Sequence, residues 1–351
     1  GSHDQGVNIQ TGPNGEVYAV WTIYDSWPSD ENAIGFARSY DGGATFEPAT
    51  RIIENIRGIR NTETSKNMRV NSFPVMAVDI SSSALSGNIY VVWANIGVPG
   101  ENTGPDIDVY MIKSSDDGDT WSEPIKVNQD PSGLGKEHYF PWITCDPVSG
   151  ALSVIFYDDR DLDNSAMTEV WVANSFDGGE TWEDFRVSDV AFTPQPIAGL
   201  AGGYFGDYLG IIARNRKVYP VWTDNRSGSA MTYVSPYETG PAPNQPYVIY
   251  NSHELNDEQG NGNGQLDFGE TALLSVGLFN IGDQPAEQVT ATLSSESPYV
   301  EVLDNEEDFF DFEVGDTTFL DDVFEFSLAN GIPDQTSVRF NLQTTDGDSI
   351  W

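Results

Sequence analysis

An octapeptide of one shape, S-x-D-x-G-x-T-[WF], occurs three times in the chain: SYDGGATF at 39–46, SSDDGDTW at 114–121 and SFDGGETW at 175–182. A motif repeated at long, similar spacing commits a chain to repeated structural units before composition is considered. Each copy follows a short alternating apolar run: AIGFAR, VYMIK or VWVAN. A second repeated element precedes it: VYAVWT (17–22), IYVVWA (89–94), LSVIFY (152–157) and VYPVWT (218–223). The aromatic positions Trp21, Trp93, Phe156 and Trp222 recur every 60–70 residues or so. A third element comes earlier still: NSFPVMAVD (71–79), HYFPWITCD (138–146) and GDYLGIIAR (206–214).

Helical periodicity is absent. Four short strands per repeat at this period predict the blades of a β-propeller, with four blades visible and the fourth lacking the octapeptide. That number suits a small or open ring, or a part of a larger one. The octapeptides resemble the Asp box, or BNR repeat, of the sialidase-like propellers, over about residues 5–236. The resemblance implies the fold more than the function, because enzymes and non-catalytic binding proteins share it.

The octapeptide itself reads as scaffold. Its glycines permit a tight turn, its aspartate can accept from turn N–H groups, and its closing Trp or Phe is expected to bury its ring between sheets. Strands that alternate in direction put the first-strand starts and second-strand ends at one pole of the array. The octapeptides then lie at the opposite pole.

The pole away from the octapeptides carries the candidate site. The third repeat ends its second strand in Asp158, Asp159 and Arg160; the fourth ends in Asp224, Asn225 and Arg226. First-strand starts add Asn71, Glu137, His138, Tyr139, Asp207 and Tyr208. Arginine suits a carboxylate or sulfate through two parallel hydrogen bonds. The alternative is that each Asp-x-Arg forms an internal ion pair, and that His138 is a packing residue rather than a ligand. The sialidase resemblance implies three arginines (Arg160, Arg226 and Arg69) and a tyrosine nucleophile (Tyr139 or Tyr208) beside Glu137. It also implies an aspartate acid/base from Asp158, Asp207 or Asp224. The arginine-isoleucine-proline motif of those enzymes is missing, since 51–53 reads RII.

The formal charge of -39 excludes nucleic acid and anionic lipid as natural partners. No segment approaches the ~18 apolar residues of a membrane span. The charge is uneven: beyond residue 247 the only basic residue is Arg339, against about 22 acidic ones. The proline cluster at 236–246 reads as a linker, giving a first domain at 4–236, a linker at 237–246 and a second domain at 247–351. In the second domain the D-x-[DN]-x-[DN]-G-x5-E pattern is nearly met by Asn261, Asn263, Gln265, Asp267 and Glu270, with Gly264 at its sixth position. Gln259 stands at the first position, where Asp257 or Glu258 could supply the oxygen if the loop shifts. This predicts Ca2+ in a loop between strands, in a segment resembling the calcium-binding immunoglobulin-like modules of secreted Bacteroidetes proteins.

The sequence therefore predicts an all-β chain, a sialidase-like propeller followed by an immunoglobulin-like sandwich. Two functions stand: a secreted or cell-surface module binding glycan or glycoprotein, including acidic glycans, or a glycoside hydrolase of exo-sialidase type. Arginines converging beside a Tyr–Glu pair favour the enzyme; arginines bridged to their own aspartates oppose it.

Overall fold

The computed structural model describes residues 3–60, 64–66, 68–83, 85–200, 202–239, 246–258, 260–263, 265–280, 282, 284–295, 297–333, 336, 338, 340–347 and 350. The chain divides into two compact units, Gly1–Gly240 and Pro241–Trp351. Every regular element among the described residues is a strand.

The first unit is four sheets in series. Sheet 1 holds β1 (His3–Thr11), β2 (Val17–Tyr24), β3 (Ala33–Ser39) and β4 (Thr50–Glu54). Sheet 2 holds β5 (Val75–Val78), β6 (Ile89–Ile96), β7 (Ile107–Ser114) and β8 (Ile125–Lys126). Sheet 3 holds β9 (Tyr139–Cys145), β10 (Leu152–Asp158), β11 (Glu169–Ser175) and β12 (Glu183–Arg186). Within each of these sheets neighbours pair antiparallel in chain order. Sheet 4 departs from the expected four strands. It pairs β13 (Gly210–Arg214) with β14 (Lys217–Asp224), and its third strand is split into β15 (Met231–Val234) and β16 (Tyr237–Glu238).

Burial explains the composition of the inner strands. The residues of β6 and β10 are buried on both faces, so their runs IYVVWANI and LSVIFYD are β-branched and aromatic almost throughout. First strands pack in sequence, β1 on β5, β5 on β9 and β9 on β13.

The sialidase-like propeller of Asp-box repeats is corrected by this arrangement. The sheets stay separate, and none closes or curls onto itself. The end sheets keep apolar residues in water: Ile9 of β1 is 57% exposed and Ile212 of β13 is 64% exposed. What stands, among the described residues, is an all-β chain of six blade-like antiparallel sheets, four in this unit and two in the next.

The three octapeptides form one turn. In SFDGGETW, Asp177 accepts from the Thr181 amide (3.0 Å) and from the Thr181 hydroxyl (2.6 Å), and Ser175 accepts from the Gly179 amide (2.8 Å). The same set recurs at Asp41 and Asp116. The hydrogen bonds from Thr181 and Ser175 outweigh the slight burial of Asp177 and hold its pKa down at about 2. Glycine is favoured at 179 by its φ of +82°; a Cβ there would also meet the Met111 methyl at 2.2 Å, which that flexible side chain would have to vacate.

The closing aromatics differ by position. Trp182 is buried in a cluster with Met111 and Val109 of sheet 2, and Trp121 packs edge-on against Phe36 of sheet 1 at 5.4 Å. Each packs on the preceding sheet. Phe46 is 46% exposed, so the expected burial fails for that copy.

The second unit contains two sheets. One runs β17 (Val248–Asn256), β18 (Thr271–Asn280), β22 (Thr317–Leu328) and β20 (Val300–Asp304). The other runs β21 (Glu306–Phe312), β19 (Ala286–Ser294) and β23 (Asn341–Thr345). One core joins them, with Leu274, Val276 and Phe324 from the first and Val289, Ala291 and Phe312 from the second.

Candidate functional site

The segments leading into β5, β9 and β13 meet at one pole of the first unit. Arg69 donates to both carboxylate oxygens of Asp207, at 3.0 and 3.1 Å, and Asn71 donates to the same carboxylate at 3.0 Å. The Arg69 amide donates to the Gly203 carbonyl at 2.7 Å, and its guanidinium lies 4.4 Å above the Tyr204 ring. Tyr204 completes the set by donating its hydroxyl to Asp207. Residues 138 positions apart in the chain are thereby locked together.

Beside this pair lies an aromatic platform. Tyr208 is 52% exposed, with Phe73 at 6.0 Å and Trp142 edge-on at 5.7 Å between ring centroids. Burial, then the Asp207 charge, raises the Tyr208 pKa; the hydrogen bond to Asp207 does the same for Tyr204. Both phenols are held protonated, as donors rather than nucleophiles.

The other sequence-derived residues lie elsewhere. Tyr139 is fully buried, and burial raises its hydroxyl pKa well above the ordinary value. Glu137 accepts from the wholly buried Lys66 ammonium at 3.0 Å, and Lys66 also donates to Asp159 at 2.7 Å. The Glu137 amide donates to Asp159 at 2.8 Å, closing the group. Nothing in the polar run TSKN marks Lys66 as buried in advance, because its partners come from other sheets.

Both Asp-x-Arg pairs form one structural device. The Arg160 amide and Nε each donate to Asp158 at 2.7 Å; the Arg226 amide and Nε each donate to Asp224 at 2.6 Å. Each guanidinium then covers an aromatic ring of the next strand, Trp171 at 4.1 Å and Tyr233 at 4.4 Å. Each also reaches a further aspartate, Asp184 or Asp189. Asp158 and Asp224 are fully buried. The two arginines are therefore bridged to their own aspartates, the arrangement that opposes a shared carboxylate pocket.

His138 sits fully buried where sheets 2 and 3 meet. Its Nδ1 lies 2.8 Å from the Ile107 carbonyl, and its Nε2 lies 3.2 Å from Asp130 and 3.4 Å from Asp158. Burial lowers the imidazole pKa, but the Asp158 and Asp130 carboxylates outweigh it and push the value up to about 10. Asp108, Asp130 and His138 offer ligand atoms that all lie within 4.8 Å of one another, a group able to hold a metal ion. Nothing in it specifies calcium.

In the second unit the loop before β18 folds on itself. The Asn261 and Asp267 amides donate to Glu270 at 2.9 Å each, and the Asn261 and Asn263 side-chain amides donate to Asp267 at 2.7 and 3.0 Å. The Gln265 amide donates to Asn263 at 2.7 Å, and the Asp257 carbonyl accepts from Gly260 at 2.8 Å. Gln259 and Gly264 lie outside the described residues. The predicted ligand side chains Asn261, Asn263, Asp267 and Glu270 do converge, around donors of the loop itself.

No protein-family model matches the chain, and no curated protein sequence matches it. Solved structures resemble it at a distance. The Hadza microbial sialidase Hz136 is 17% identical over 93% of this chain, with a TM-score of 0.45, and this chain spans 65% of its length. An α-L-arabinanase of Penicillium chrysogenum complexed with arabinobiose is 14% identical over 79% of this chain and 77% of its own, with a TM-score of 0.40. Zg3597, a family 117 glycoside hydrolase from Zobellia galactanivorans, is 12% identical over 95% and 87%, with a TM-score of 0.40.

Proposed function

We propose that the first unit is a recognition module of a secreted or cell-surface protein, binding a glycan or glycoprotein at the Tyr208 platform. The observation that carries this is the juxtaposition of an exposed Tyr208 ring with the ion-paired Arg69 and Asp207. Sugars offer apolar C–H faces that cover aromatic rings, and hydroxyls that bridge fixed donors and acceptors. Arg69 and Asp207 hold each other in place, so ligand hydroxyls meet preorganised groups rather than flexible ones.

The same geometry weighs against hydrolysis. Tyr139, Asp158 and Asp224 are buried, Glu137 is engaged by Lys66, and the phenols of Tyr204 and Tyr208 are raised in pKa. A tyrosine nucleophile needs the opposite shift. Calcium in the 257–270 loop belongs to this reading as a support for the second unit. The test is a glycan array probed with the full chain, together with hydrolysis of fluorogenic sialosides and other acidic glycosides. Binding without turnover is expected. Turnover abolished by Asp207→Asn would replace the proposal with the glycoside hydrolase, and an array without any bound glycan would remove it.

A further inference from the structure

The polar group between sheets 2 and 3 has an unmet requirement. His138 Nδ1 faces the Ile107 carbonyl at 2.8 Å, which fixes the proton on that nitrogen. Nε2 is fully buried, with Asp130 at 3.2 Å and Asp158 at 3.4 Å. Two carboxylates facing one buried ring nitrogen call for a positive centre between them. Nε2 has no aligned hydrogen-bond partner, so the geometry of that centre is left unmet by the ring alone. Charge counting agrees. Among the described residues Asp108, Asp130, Asp158 and Asp184 face Lys126 and Arg160 as permanent cations, leaving two negative charges to the His138 ring and a further cation.

We propose that His138 Nε2, Asp130 and Asp108 hold a divalent transition metal of zinc type, which ties sheet 2 to sheet 3. Zinc bonds of about 2.0–2.2 Å to nitrogen and oxygen place tetrahedral ligand atoms roughly 3.3–3.5 Å apart. The 3.2 Å from Nε2 to Asp130 is close to that edge; Asp108 approaches from the Nδ1 side, at 3.6 Å, and its ligand atom lies within 4.8 Å of the other two. The imidazole favours zinc over calcium, which takes oxygen ligands. The surrounding shell is already built: Asn128 donates to Asp108 at 2.7 Å and to Asp130 at 2.6 Å, and the Val109 amide fixes Asn128 by donating to its oxygen at 2.8 Å. Asp158 stays with Arg160. The ligands come from the start of β7 and from the β8–β9 connection, where Ile107 already pairs with Glu137 through backbone hydrogen bonds, so the metal would reinforce that junction of sheets 2 and 3.

The test uses the full chain stripped by chelation and titrated with Co2+, whose visible absorption reports a four-coordinate site with nitrogen ligation. One equivalent of Co2+ is expected to give that spectrum, and Zn2+ to displace it. Asp130→Asn and His138→Gln should each lose at least tenfold in affinity. Glu301→Gln, at an exposed position of β20 in the second unit, should change nothing. Circular dichroism accompanies each variant, and the partly buried Asp130 carries the test if His138→Gln does not fold. The proposal is overturned by a wild-type chain that takes up neither metal below millimolar concentration. It is overturned equally by uptake undiminished in Asp130→Asn, or by a 15N spectrum showing both His138 nitrogens protonated with Zn2+ present.

Discussion

Asp177 shows how much a residue's role depends on what its neighbours donate. Its carboxylate accepts from Ser175, Glu180 and Thr181, and none of these bonds leaves the octapeptide. The folded pKa of about 2 lies below the ordinary 3.8, so the charged form is favoured by folding. The stabilisation is fully present above about pH 4 and is lost as pH falls through the folded value near 2. Asp177→Asn should lower stability at pH 7 by about 1 kcal/mol, after discounting for solvent screening. The deficit should shrink as the pH is lowered from 4 to 2, as measured by urea unfolding. At this scale the turn is legible in the sequence, because all its partners lie within eight letters. The fates of Arg160 and Arg226 were open, because the same D-x-R letters serve a ligand or an internal pair. Only the rings under them, Trp171 and Tyr233 on the next strand, decide it.

Among elements, the order and pairing of strands follow from alternation and the repeated aromatic runs, and β1 to β12 form as three four-stranded sheets. Closure does not follow from the same signals. A repeat reports contacts with its neighbour but not whether the last unit meets the first. The octapeptide aromatics record the difference, since Trp182 is 6% exposed and Phe46 is 46% exposed. Trp182→Ala should therefore cost about 3 kcal/mol through the cavity it leaves against Met111. Phe46→Ala should cost less than about 1 kcal/mol. Thermal unfolding of the two variants side by side checks this, and equal losses would mean that sheet 1 is covered at its outer face. For the loop before β18, calcium added to chelated protein should raise the melting temperature. Glu270→Gln should remove the rise, because Glu270 anchors two amides of the loop.

Over the whole molecule, a formal charge of -39 sets how the chain responds to its surroundings. Self-repulsion is screened by salt, so raising NaCl from about 0.02 to 0.5 M should raise the melting temperature. A fall would mean that the ion pairs of the poles outweigh the net charge. Sequence reading named Asp207 and Tyr208 at the pole where the proposed platform lies, since both stand at the start of a repeated first-strand element. It did not single out Phe73, Trp142 or Tyr204, because the letters FP and GGY carry no sign that three separate segments meet. It also placed Tyr139 and Asp158 in the site, where the packing of the sheets buries them. The most direct test of the platform is calorimetric titration of a glycan found on the array, with wild type, Tyr208→Ala and Arg226→Lys compared. The account predicts at least a tenfold loss of affinity for Tyr208→Ala with an unchanged far-ultraviolet spectrum, and affinity within about twofold of wild type for Arg226→Lys. Undiminished binding by Tyr208→Ala, with loss in Arg226→Lys, would contradict it and return the site to the Asp-x-Arg pairs.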